Sequence, residues 1–127
     1  MSGTDRPDVA IGHVRLHAGN LDTTRAFYEL LGMRTCMAWD GMAILELRGG
    51  THLLLIETDD EMQQVLDPVF DLMVDDVNAM KARLDEAGCG TSDVTYHQII
   101  GHHRFTVKDP DGRRLTIHSD HTEGRVV

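Results

Sequence analysis

At 127 residues the chain holds about one domain's worth of polypeptide, enough for a single hydrophobic core but not for two independent ones. Lys and Arg number 12 against 21 Asp and Glu, a net charge of −9 with no cationic cluster, which argues against a nucleic-acid partner. The longest purely apolar run, residues 53–56, is far too short to span a bilayer, and the opening MSGTDRPD has no signal-peptide core, so a cytoplasmic protein with no membrane partner is expected.

Residues 10–18 (AIGHVRLHA) alternate, with Val14 and Leu16 on one face and His13, Arg15 and His17 on the other, the pattern of a strand with one side on a core. Asn20 then caps a helix in which Leu21, Phe27, Leu30 and Leu31 recur at helical spacing, and Gly32 ends it. Residues 33–39 and 42–47 read as strands joined at Asp40-Gly41, a two-residue hairpin signal. Gly49-Gly50 turns the chain into a fourth strand, 51–57 (THLLLIE). A polar connector, 58–67, with room for one helical turn, leads to a repetition of the pattern. Residues 69–74 (VFDLMV) predict a strand, Asp76 caps a helix through Val77, Met80, Leu84 and Ala87, and Gly88 stops it. Residues 91–100 supply a strand with an irregular loop. The caps (20 and 76) and the terminating glycines (32 and 88) share one offset of 56 positions, so the chain reads as two copies of a β-α-β-β-β unit.

The last two strands flank Asp109-Pro110-Asp111-Gly112, where proline supplies the fixed φ of a type I turn and glycine the left-handed residue after it. Phe105, Val107, Leu115 and Ile117 fall on one face of this hairpin; Arg104, Thr106, Thr116 and His118 fall on the other. His102 and His103 are adjacent in a strand and point to opposite faces, so they are not expected to share an ion. His52, His97 and His121 read as surface or edge residues, the methionines Met33, Met37, Met42, Met73 and Met80 as core filling, and Trp39 as core or hairpin packing. Cys36 and Cys89 lack CxxC or Cys/His zinc spacing and are expected as reduced thiols. One helix per four-stranded sheet covers the apolar side and leaves the other side concave and polar-lined. Neither half buries its sheet well alone, so a homodimer is expected.

The order and spacing of Gly12-His13-Val14, Asn20-Leu21-Asp22, Phe27-Tyr28-Glu29-Leu30-Leu31-Gly32-Met33, Val74-Asp75-Asp76-Val77, Leu84-Asp85-Glu86-Ala87-Gly88 and Asp109-Pro110-Asp111-Gly112-Arg113-Arg114-Leu115 resemble the vicinal oxygen chelate superfamily, which holds glyoxalases, extradiol dioxygenases, fosfomycin-resistance thiol transferases and bleomycin-resistance proteins. The resemblance covers roughly residues 10–119 and implies an α+β fold: one domain, 1–127, of two βαβββ modules (10–57 and 68–119) with cupped mixed sheets. The fold hosts many chemistries and does not by itself name one.

The resembling enzymes hold a divalent metal with ligands from the first and last strands of each repeat. Their ligand positions fall here on His13, Leu54, Val69 and Thr116, of which only His13 is a competent donor. The resemblance therefore implies binding of a small organic molecule without metal or other cofactor, in a cup lined by His13, Arg15, Asp71, Arg104, Thr106, Thr116 and His118. Sequestration of a toxic or antibiotic compound is the concrete version. The alternative is a lyase, isomerase or dioxygenase-type enzyme, with His13 or His118 as general base or with a displaced metal triad of His13, Asp71 and His118.

Overall fold

The computed structural model describes residues 6–99 and 101–120, so His121 and Ile100 lie outside the described residues. Its elements are β1 (His13–Ala18), α1 (Leu21–Leu30), β2 (Arg34–Trp39), β3 (Met42–Glu46), a 3-10 turn at Arg48–Gly50, β4 (His52–Glu57), α2 (Glu61–Gln64), β5 (Leu72–Val74), α3 (Val77–Glu86), β6 (Thr95–His97), β7 (His102–Lys108) and β8 (Arg114–Ser119). Two four-stranded mixed sheets result, in the orders β1-β4-β3-β2 and β5-β8-β7-β6. In each, the first strand of the unit runs parallel to the last and the others pair antiparallel. The duplication is thus a duplication of topology.

Both long helices begin as their sequences dictate. The Asn20 side chain accepts the Thr23 N–H at 3.0 Å and that of Asp76 accepts the Ala79 N–H at 2.9 Å, each satisfying one amide that a helix start leaves without a partner. At α1 the Glu57 carboxylate accepts a further one, from Leu21. Gly32 and Gly88, at φ 111° and 83°, terminate the two helices in the conformation that glycine adopts without steric cost.

α1 packs on β3 and β4, α3 on β7 and β8. One continuous core joins the two units: Leu16, Phe27, Tyr28, Leu45, Leu53 and Leu55 from the first meet Leu72, Leu84, Phe105, Val107, Leu115 and Ile117 from the second. The apolar face of the last hairpin is 2% exposed or less at all four of its residues.

β5 is shorter than the strand expected over 69–74. Continuing the parallel register from Leu72↔Ile117 would bring Val69 opposite Arg114, but the Arg114 N–H is already held at 2.9 Å by the side chain of Asp67. Val69 is left fully exposed outside the sheet. Two further expectations change. Trp39 is 49% and Met37 51% exposed, so neither is core, whereas Met33 and Met80 are buried as core filling. The sheet face opposite the core also differs between the units: in the first, Met37, Trp39, Met42, Ile44, Leu54 and Ile56 share it in cross-strand register with the polar His13, Arg15, His17, Glu46 and His52.

The tip of the β7–β8 hairpin is a buried ionic lock between the units. Arg113, with none of its surface exposed, donates to Asp109 Oδ2 at 2.7 Å, and Tyr28 of α1 donates to the same oxygen at 2.7 Å. Asp109 Oδ1 accepts the backbone N–H groups of Asp111 and Arg113, and Asp111 accepts from Thr24 Oγ1 and from the Gly19 N–H. A buried ion pair depends on partners for its remaining hydrogen-bonding capacity; the Asp109 oxygens are met by Tyr28 and the turn's own amides, while Arg113 Nη2 makes no hydrogen bond among the described residues and lies 3.8 Å from Asp111 Oδ2. Burial, reinforced by the Asp109 charge, pushes the Tyr28 hydroxyl far above the ordinary tyrosine range.

Candidate functional site

Strand alternation places the predicted residues on the non-core faces of both sheets, and the structure divides them. His13 and Arg15 are exposed and His17 half-buried along β1, where a cleft of about 410 Å³ is also lined by Leu66, Val69 and Phe70 of the connector. Arg104 and His118 are direct cross-strand partners, as are Thr106 and Thr116, and all four are half-buried on one face of the second sheet. The backbone of Thr106 is clamped to Ser92, donating to its hydroxyl at 2.8 Å and accepting its N–H at 2.9 Å. Asp71 precedes β5 and lines a second cleft, of about 670 Å³, with Met33, Leu47, Arg48, Leu72 and Met80 at the junction of the units.

His102 joins the Arg104 patch. It is 7% exposed, its ring stacks on that of His118 with centroids 4.3 Å apart and planes 26° from parallel, and His118 Nδ1 lies 3.0 Å from the Ser119 carbonyl. His103 is exposed on the opposite face, as alternation requires. The parity shared by His102, Arg104 and Thr106 was the available signal for this extra member.

Charge pairing divides the described arginines, and of those without a carboxylate partner Arg83 donates to the Leu30 carbonyl at 3.2 Å while Arg6 lies ahead of β1. Arg25, Arg34, Arg48, Arg113 and Arg114 each face a carboxylate. Among the described residues Arg15 and Arg104 form no ion pair, Asp71 included.

The four ligand positions implied by the resemblance do not fit a metal. Leu54 is 8% exposed and apolar, Val69 projects into solvent outside β5, and Thr116 offers a neutral hydroxyl beside Thr106. Nor do His13, Asp71 and His118 converge as a displaced triad. Among the described residues the one group of three His, Cys or acidic side chains with ligand atoms within 4.8 Å of one another is Cys36, Glu46 and His52. His52, read from sequence as an edge residue, is half-buried there, with the His13 ring edge-on at 6.2 Å. Arg34 donates to Glu46, whose carboxylate holds the guanidinium above its ordinary value.

No curated protein matches the sequence. Among solved structures, an integron cassette protein from the mobile metagenome of the Halifax Harbour sewage outfall superposes with a TM-score of 0.75 at 18% identity, covering 87% of this chain and 98% of its own. Lactoylglutathione lyase from Agrobacterium tumefaciens follows the chain with a TM-score of 0.72 at 20% identity, over 94% of this chain and 99% of its own. A bleomycin resistance determinant encoded on transposon Tn5 does so with 0.67 at 21%, over 89% and 99%. Likenesses at these identities speak to the fold. The sequence model of the Glyoxalase/Bleomycin resistance protein/Dioxygenase superfamily matches residues 10–117. Together with the paired βαβββ sheets, that match over most of its length makes the chain a member of the glyoxalase/bleomycin resistance/dioxygenase superfamily.

Proposed function

We propose that the protein binds a small organic molecule carrying an anionic group, without the metal held by the superfamily's enzymes. The loss of donor atoms at three of the four ligand positions, Leu54, Val69 and Thr116, carries the metal-independent reading. Arg15 and Arg104 support the anion: a guanidinium that no carboxylate engages offers a planar fork to a carboxylate or phosphonate. Thr106, Thr116 and His118 beside Arg104 add polar contacts, and the Met37, Trp39 and Ile44 face of the first sheet suits an apolar body. Sequestration of a toxic or antibiotic compound is the concrete form, in a cup completed by a second copy of the chain in the cytoplasm.

The test is a thermal-shift screen of carboxylate- and phosphonate-bearing small molecules on protein treated with chelator. A true ligand at about a hundred times its Kd raises the midpoint by roughly 10 °C, and Arg104→Ala abolishes the shift. A shift that requires an added divalent ion overturns the metal-independent reading, and turnover of the ligand replaces sequestration by catalysis.

A further inference from the structure

Cys36, Glu46 and His52 come from three neighbouring strands and converge because of a defect in the ladder. Thr35 faces α1, where its hydroxyl meets Glu29. The register of β2 against β3 then slips between Thr35 and Met37, so Cys36 is an extra residue with no partner of its own. Such a bulge re-aims the inserted side chain. Here it brings the thiol to the face on which Glu46 and His52 stand directly opposite each other across β3 and β4. The ligand atoms of the three lie within 4.8 Å of one another, with Cys36 exposed and the other two half-buried. His13 is the register partner of His52 across β1 and adds a second imidazole, 6.2 Å away between ring centroids.

We propose that Cys36, Glu46 and His52 form a binding site for a thiophilic divalent ion of the zinc type, at none of the four positions considered above. A thiolate, an imidazole and a carboxylate are three donors that zinc accepts in tetrahedral sites. The sulfur disfavours magnesium and calcium, which take oxygen. Three protein ligands leave a fourth coordination position for water or a ligand atom, the arrangement of reactive rather than purely structural sites. The competing contacts are weak: the Cys36 thiol donates to the Arg34 carbonyl at 3.8 Å, and Arg34 holds Glu46 from a side chain that is 79% exposed, a pair of the kind that yields readily to a better partner. Arg15 sits two residues along β1 from His13 on the same face, about 7 Å away. The site stands independently of the ligand reading above.

The experiment is titration of the reduced, metal-free, untagged full chain with Co²⁺, then competition with Zn²⁺. Expected is one equivalent per chain, with a thiolate-to-cobalt charge-transfer band and visible bands of tetrahedral intensity. Cys36→Ser removes the charge-transfer band and weakens Zn²⁺ at least about 10-fold, Glu46→Gln and His52→Ala weaken it comparably with unchanged circular dichroism, and Cys89→Ser changes nothing. A six-coordinate cobalt spectrum, a band that survives Cys36→Ser, or one that disappears in Cys89→Ser overturns the proposal. Loss of metal in Cys36→Ser with the ligand-induced thermal shift intact separates this site from the anion-binding one.

Discussion

Tyr28 donates its proton to a carboxylate already paired with a fully buried guanidinium, and that places much of the molecule's stability on three side chains. Replacing Asp109 by Asn leaves the buried Arg113 charge with only the more distant Asp111 carboxylate, 3.8 Å away, which costs about 3 kcal/mol in a urea denaturation series. Tyr28 also sets a pH dependence. Its folded-state pKa is raised by burial and by Asp109, so its contribution is complete below the unfolded value of about 10 and is lost as pH climbs above that. Wild-type stability should therefore fall above pH ~10 by about 1.4 kcal/mol per unit more steeply than that of Tyr28→Phe. Equal slopes would refute the assignment. The sequence showed Asp109-Pro110-Asp111-Gly112 as a turn, but not as a lock, because Tyr28 and Gly19 lie 81 and 92 residues away from the oxygens that receive them.

Local chemistry decides the elements where it acts alone and loses where pairing decides. Asn20, Asp76, Gly32 and Gly88 act within a single turn of chain, and the helices they bound were readable from them. Asn20→Ala should cost about 0.5–2 kcal/mol by thermal melting. Gly112 has φ 92°, a conformation in which a Cβ is strained, so Gly112→Ala should cost about 1–2 kcal/mol although no atom lies within 4 Å of the added methyl. β5 could not be bounded from VFDLMV, since its length depends on Asp67 taking the Arg114 N–H. The bulge at Cys36 was invisible for the same reason: a register slip belongs to two strands, and alternation in one of them does not reveal it. Cys36, Glu46 and His52 are spread over 17 positions of sequence and form a group only after that slip.

For the whole molecule, the duplicated pattern was enough to give two four-stranded sheets with one helix each, because each unit repeats the same caps, turns and alternation; the order β1-β4-β3-β2 comes from the pairing itself. The candidate site was legible only as parity. Alternation told which residues share a face, and Arg104, Thr106, Thr116 and His118 do; it could not tell that His13 and Arg15 line a different cleft from Asp71. The exposed Met37 and Trp39 on the first sheet bear on assembly. If a second copy covers this face, light scattering gives twice the chain mass and Trp39→Asp shifts it toward the monomer with helix content retained; a wild-type monomer at high concentration would refute the dimer.

The lock also fixes an order of events. Gly19, Thr24 and Tyr28 belong to the first unit, yet the oxygens they need belong to Asp109 and Asp111 in the last hairpin of the second. During synthesis the first unit is therefore finished in length long before α1 has its partners. Contacts of such long sequence separation slow folding, since the intervening loop must close before they reward it. Until the last hairpin is made, α1 and its sheet form an unfinished half, and the two repeats, alike as they are, mature together rather than one after the other.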